Sequence, residues 1–81
     1  MPTVLRTGPF RFFFYAGDRL EPPHVHVERD SNTAKIWLDP VRLQRSNGFR
    51  RNEINRINRI IDIVEENLER LLNRWDVYFN R

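Results

Sequence analysis

His24-Val25-His26-Val27-Glu28-Arg29-Asp30-Ser31-Asn32-Thr33-Ala34-Lys35-Ile36-Trp37-Leu38-Asp39 is the stretch on which the fold turns. Two alternating runs, His24 to Glu28 and Ala34 to Asp39, flank the polar Asp30-Ser31-Asn32-Thr33. Alternation marks half-buried strands, and so short a connection makes them an antiparallel hairpin. Side chains alternate with period two, so Val25 and Val27 share one face while His24, His26 and Glu28 share the other. In the second strand Ala34, Ile36 and Leu38 oppose Lys35, Trp37 and Asp39. The apolar faces must coincide, because a slip of one position would expose a whole face. A turn at Ser31-Asn32 satisfies this, with Thr33 opposite Asp30, Val27 opposite Ile36 and Val25 opposite Leu38. The same register sets Glu28 against Lys35, His26 against Trp37 and His24 against Asp39. Directly opposed residues have Cβ atoms about 5 Å apart.

Moving outward, Phe10 to Tyr15 is short and aromatic and reads as a strand. Gly17, Pro22 and Pro23 mark a loop. Val41 to Arg45 extends as a further short strand or falls into irregular structure, and Ser46-Asn47-Gly48 is a break. Beyond it Ile54, Ile57, Ile61, Val64, Leu68, Leu71, Trp75 and Tyr78 recur at steps of three and four, which is a helical period. Asn52 is placed to cap its start. A straight helix of this length would be about 40 Å long, against a radius of gyration of about 12 Å for a domain of this size. The helix is therefore expected to break around Glu65 to Asn67, or to overhang and pack on a second copy as a homodimer. The resulting fold is α+β: a small antiparallel sheet of three to four strands (about 9–45) packed against one long, broken C-terminal helix (about 52–79), in a single domain spanning 1–81.

With 81 residues and no cysteine, the chain has a thin core and no thiol, disulfide or iron–sulfur chemistry. Its 40% hydrophobic and 12% aromatic content is that of an ordered domain. No apolar signal core or membrane-length run is present, so a soluble, cytoplasmic protein is expected. Fourteen basic residues against eleven acidic ones give a net charge of +3, a mild lean toward anionic partners. All the basic residues are arginine except Lys35. Arg42, Arg45, Arg50 and Arg51 form the densest positive stretch. The helix instead mixes both signs, which suits a protein partner better than DNA.

The polar hairpin face concentrates chemistry. An aspartate beside a histidine orients one ring nitrogen and stabilises the imidazolium. Two histidines on one strand can bracket a phosphoryl group as base and acid, with a cation stabilising developing charge. That set suits RNA cleavage through the substrate's own 2′-hydroxyl, and Tyr15 or Trp37 can stack an unpaired base. His24 and His26 are thus candidate catalytic residues with Asp39 as orienter. Lys35, Trp37, Tyr15, Arg50 and Arg51 are candidate substrate-binding residues. A metal held by the histidines with Glu28 or Asp39 is the competing chemistry. Catalytic zinc usually takes three protein ligands, and no metal or cofactor is assigned. Neither a serine-nucleophile elbow nor a glycine-rich phosphate loop occurs.

Glu21-Pro22-Pro23-His24-Val25-His26-Val27, Ala34-Lys35-Ile36-Trp37-Leu38 and the terminal Trp75 and Tyr78-Phe79 resemble a family of small prokaryotic proteins catalogued as a domain of unknown function. The resemblance runs from about Phe10 to Phe79. It implies a gene paired with a second small protein, in the manner of toxin–antitoxin modules. Glu21, Pro22, Pro23, His24 and His26 are the positions that carry over. The expectation is a toxin component acting on RNA or translation, as a metal-independent ribonuclease with paired histidines, whose partner is a cognate small antitoxin-like protein. The alternative is a non-enzymatic binding module or antitoxin that associates with the neighbouring gene product.

Overall fold

The computed structural model describes residues 3–47 and 54–79. Five strands form one antiparallel sheet in the order β1-β2-β3-β4-β5: β1 Thr3–Thr7, β2 Phe10–Phe13, β3 His24–Arg29, β4 Asn32–Leu38 and β5 Val41–Asn47. A short 3-10 helix, Ala16–Leu20, lies between β2 and β3. Two helices follow, α1 Ile54–Glu66 and α2 Leu68–Phe79. The architecture is α+β, with five strands rather than three to four and two helices rather than one.

The extra strand is β1, whose residues alternate too poorly to be read as a strand. It pairs with β2 through an irregular register at Thr3 and Leu5. Val41 to Asn47 resolves as a full strand, with a bulge between the Lys35–Arg45 and Ile36–Leu43 pairs. A bulge twists an edge strand and blunts its pairing with other chains. The helical run is interrupted at Asn67, inside the window expected from length alone. Its side-chain amide donates to the Ile63 carbonyl at 2.9 Å, beside its own backbone N–H at 3.1 Å. Asparagine competes in this way for helix carbonyls and bends helices.

The helices cover one face of the sheet. Val25, Val27, Ala34, Ile36 and Leu38 are buried there against Ile60, Ile63, Val64, Leu71 and Trp75. Ile60 and Ile63, outside the three-and-four stripe, are more deeply buried than Ile57 or Ile61. A helix of 3.6 residues per turn drifts against a seven-residue repeat, so the buried stripe is wide and moves along it. Tyr78 is 40% exposed. Asn52 lies outside the described residues.

The hairpin register differs from expectation by two positions. The central turn residues are Asp30 and Ser31, with Arg29 opposite Asn32, Val25 opposite Ile36 and Val27 opposite Ala34. Asp30 takes the left-handed conformation, φ 56, which aspartate tolerates and tight hairpin turns require. A two-residue shift preserves every side chain's face, so the alternation pattern could not detect it. It does change every partner. His24 faces Trp37 and His26 faces Lys35. Glu28 pairs across β2 with Arg11 instead of with Lys35.

Candidate functional site

The second sheet face is covered by the segment between β2 and β3. Its 3-10 turn is closed by the Asp18 N–H donating to the Tyr15 carbonyl at 3.0 Å and the Glu21 N–H donating to the Asp18 carbonyl at 3.0 Å. Pro22 and Pro23 then lead into β3. This geometry folds two carboxylates back over the histidines. The Asp18 carboxylate accepts from the Tyr15 backbone N–H at 2.9 Å and from His26 Nε2 at 3.1 Å. Glu21 accepts from Lys35 Nζ.

His24 is fully buried among Trp37, His26 and Trp75, at ring-centroid distances of 5.5, 5.1 and 5.2 Å. Its Nδ1 donates to the Pro22 carbonyl at 2.9 Å. A carbonyl only accepts, so Nδ1 carries a proton. Nε2 lies 3.2 Å from Asp18 Oδ1 yet makes no hydrogen bond and is sealed from solvent. His26 is half-buried. Phe13 stacks on its ring at 5.6 Å, and Tyr15 meets it edge-on at 4.6 Å.

Burial pushes Asp18 up, but the Tyr15 amide and both histidines outweigh it and hold the carboxyl below its ordinary value. Burial dominates at His26 and lowers it despite the neighbouring carboxylate, so the neutral ring is favoured at neutral pH. The Lys35 hydrogen bond holds Glu21 below its usual range.

Beside His26 opens a recess of about 100 Å³ lined by Tyr15, His26, Lys35, Arg45 and Asn47 among others. Lys35 and Arg45 are cross-strand partners, so two cations border it. The site therefore combines an imidazole fixed by a carboxylate, a second imidazole sealed behind it and a cationic rim.

A protein-family model described as Domain of unknown function (DUF4160) matches residues 10–76. The chain belongs to this family. No curated protein and no solved structure matches it. The family match spans every side chain of the site. Among the described residues, no helix is long and apolar enough to cross a membrane.

Of the candidate residues read from the sequence, His24, His26, Tyr15, Lys35 and Trp37 come together on this face. Asp39 does not pair with His24. The two-position shift places it in the exposed turn after β4, where it lines a separate shallow recess with Pro22, Trp37, Pro40 and Arg42. Arg50 and Arg51 lie outside the described residues. Paired acid–base work by both histidines would require the Tyr15-to-Pro23 segment to move, because the His24 ring has no exposed surface.

Sequence reasoning missed Asp18 and missed the fold-back of Glu21 onto Lys35. Strand parity sees only strand residues, and these carboxylates arrive from a loop. The available signal was stoichiometric: two inward histidines and a lysine demand nearby acids, and the preceding loop holds Asp18 and Glu21.

Proposed function

We propose that this chain is the toxin component of a two-gene module and acts on RNA, with the Asp18–His24–His26 cluster as its reactive centre. The observation that carries the reading is the recess in which His26, held by Asp18, shares a wall with Lys35, Arg45 and Tyr15. A phosphodiester needs these groups together: cations to hold and neutralise the phosphoryl oxygens, and a fixed reactive group beside them. Tyr15, 43% exposed, offers a ring on which an unpaired base can stack. A recess this small admits a phosphate and its flanking atoms, not a folded substrate. RNA would therefore lie across the surface, with Arg42 and Arg45 of β5 as positioning contacts. The orienting role assigned to Asp39 passes to Asp18.

The test is induction of the wild-type gene beside an Asp18→Asn, His26→Gln double variant at matched protein levels, with total RNA followed over time. The wild type is expected to arrest growth and shorten RNA, and the double variant to do neither. A harmless wild-type chain whose neighbouring gene product arrests growth would reverse the assignment and make this chain the neutralising partner. Arrest by both proteins alike would place the working site elsewhere.

A further inference from the structure

Asp18, His24 and His26 each present one ligand atom, and the three atoms lie within 4.8 Å of one another. Both histidine nitrogens sit close to one Asp18 oxygen, Oδ1, His24 Nε2 at 3.2 Å and His26 Nε2 at 3.3 Å. In a tetrahedral zinc site, bonds of about 2.0–2.1 Å put neighbouring ligand atoms about 3.3 Å apart. These two separations are those of ligands around one ion.

A second observation is independent of the spacing. His24 Nδ1 spends its proton on the Pro22 carbonyl, which leaves Nε2 of the neutral ring as a lone pair. Nε2 lies 3.2 Å from an Asp18 oxygen, in a pocket where it has neither a hydrogen bond nor solvent. An orphaned buried polar atom beside a carboxylate costs about 1–3 kcal/mol. A cation between them turns both into ligands. A backbone carbonyl on Nδ1 is also the partner that fixes a metal-ligating imidazole with Nε2 toward the ion.

We propose that Asp18, His24 and His26 form a binding site for one divalent transition-metal ion of the zinc class. His24 Nε2, His26 Nε2 and an Asp18 carboxylate oxygen are the ligands. Two imidazoles and one carboxylate are the donor set of catalytic rather than structural sites, because three protein ligands leave a position free. The recess lined by His26, Lys35 and Arg45 is the side from which water or a phosphoryl oxygen reaches that position. The inference goes beyond the RNA reading: it assigns both histidines as ligands rather than as a free acid–base pair, and it stands whether or not RNA is the substrate.

The test uses the full chain stripped with a chelator, titrated with zinc chloride by calorimetry and with cobalt chloride by visible absorption. The wild type is expected to bind one equivalent of either ion, to show the intense bands of low-coordinate cobalt, and to gain thermal stability with zinc. His24→Ala removes a buried ring and threatens the fold, so Asp18→Asn carries the decision. An asparagine amide can donate to His24 Nε2 while its oxygen keeps the Tyr15 N–H. This variant should stay folded, with a metal-free melting temperature close to that of the wild type, while losing about 100-fold or more in zinc affinity. His26→Gln should also lose affinity, and Asp62→Asn on the exposed side of α1 should not. Absence of saturable binding by the wild type overturns the proposal. So does undiminished binding by a folded Asp18→Asn variant, which would put the ion elsewhere. Growth and RNA cleavage are not readouts here, so a failure of the RNA reading leaves this result interpretable.

Discussion

The two faces of the sheet are buried by different means. One is covered by α1 and α2 and is built on an apolar cluster that runs from Phe12 and Val25 to Ile63 and Leu71. The other is covered by the Tyr15-to-Pro23 segment, with Trp75 of α2 against His24, and holds Asp18, His24, His26 and Lys35. Burial of apolar surface accounts for the first face, at about 25 cal/mol per Å² removed from water. It does not account for the second. Desolvating an aspartate, two histidines and a lysine opposes folding unless each finds a partner. Most do, and an orphaned nitrogen, Nε2 of His24, lies at the centre of the cluster. A face that costs stability and leaves a buried ring nitrogen unsatisfied is where function is to be sought.

The largest effect that tests this contrast is on the helix-covered face. Leu71→Ala should lower unfolding free energy by about 2–5 kcal/mol in denaturant titrations, because a fully buried leucine leaves a cavity. Zinc affinity of the folded fraction should be unchanged. On the loop-covered face the dissociation should be the reverse. Asp18→Asn should change metal-free stability by no more than about 1 kcal/mol, while zinc affinity collapses. If both variants behave alike, the division between a stabilising and a working face is wrong.

Two smaller effects sharpen the comparison. Lys35→Met keeps the stem packed on Trp37, whose ring the ammonium approaches at 5.0 Å, and removes one cation from the recess. RNA binding, measured by fluorescence anisotropy across a salt series, should weaken, with the slope of log K against log salt shallower by about 0.7. The smallest effect belongs to Asp39. Asp39→Ala should leave stability within about 0.5 kcal/mol and zinc affinity unaltered, since the exposed turn residue belongs to neither face.

What the sequence discloses and conceals follows the same division. Alternation in Val25, Val27, Ala34, Ile36 and Leu38 identifies the apolar face without ambiguity, because a single-residue slip is prohibitive. The helical stripe and its break near Asn67 follow from period and length. The partners of the histidines do not follow, because moving the turn from Ser31-Asn32 to Asp30-Ser31 costs no burial. Only the tolerance of Asp30 for the left-handed conformation decides it. Asp18 was illegible for another reason. Its position depends on a 3-10 turn and on how Pro22 and Pro23 direct the chain, and no periodicity encodes either. The candidate histidines were thus visible as a pair, while the carboxylate that completes them was assigned to the wrong end of the hairpin.

The most direct measurement of the central claim is the nitrogen-15 spectrum of the two histidine rings during zinc titration of the stripped protein. In the metal-free protein His24 should carry its proton on Nδ1 and show an unprotonated Nε2. Addition of one equivalent of zinc should move Nε2 of both rings to metal-bound shifts while His24 Nδ1 stays protonated against Pro22. Ring nitrogens that do not respond, or a His24 protonated on Nε2 and bonded to Asp18 from the outset, would contradict the account.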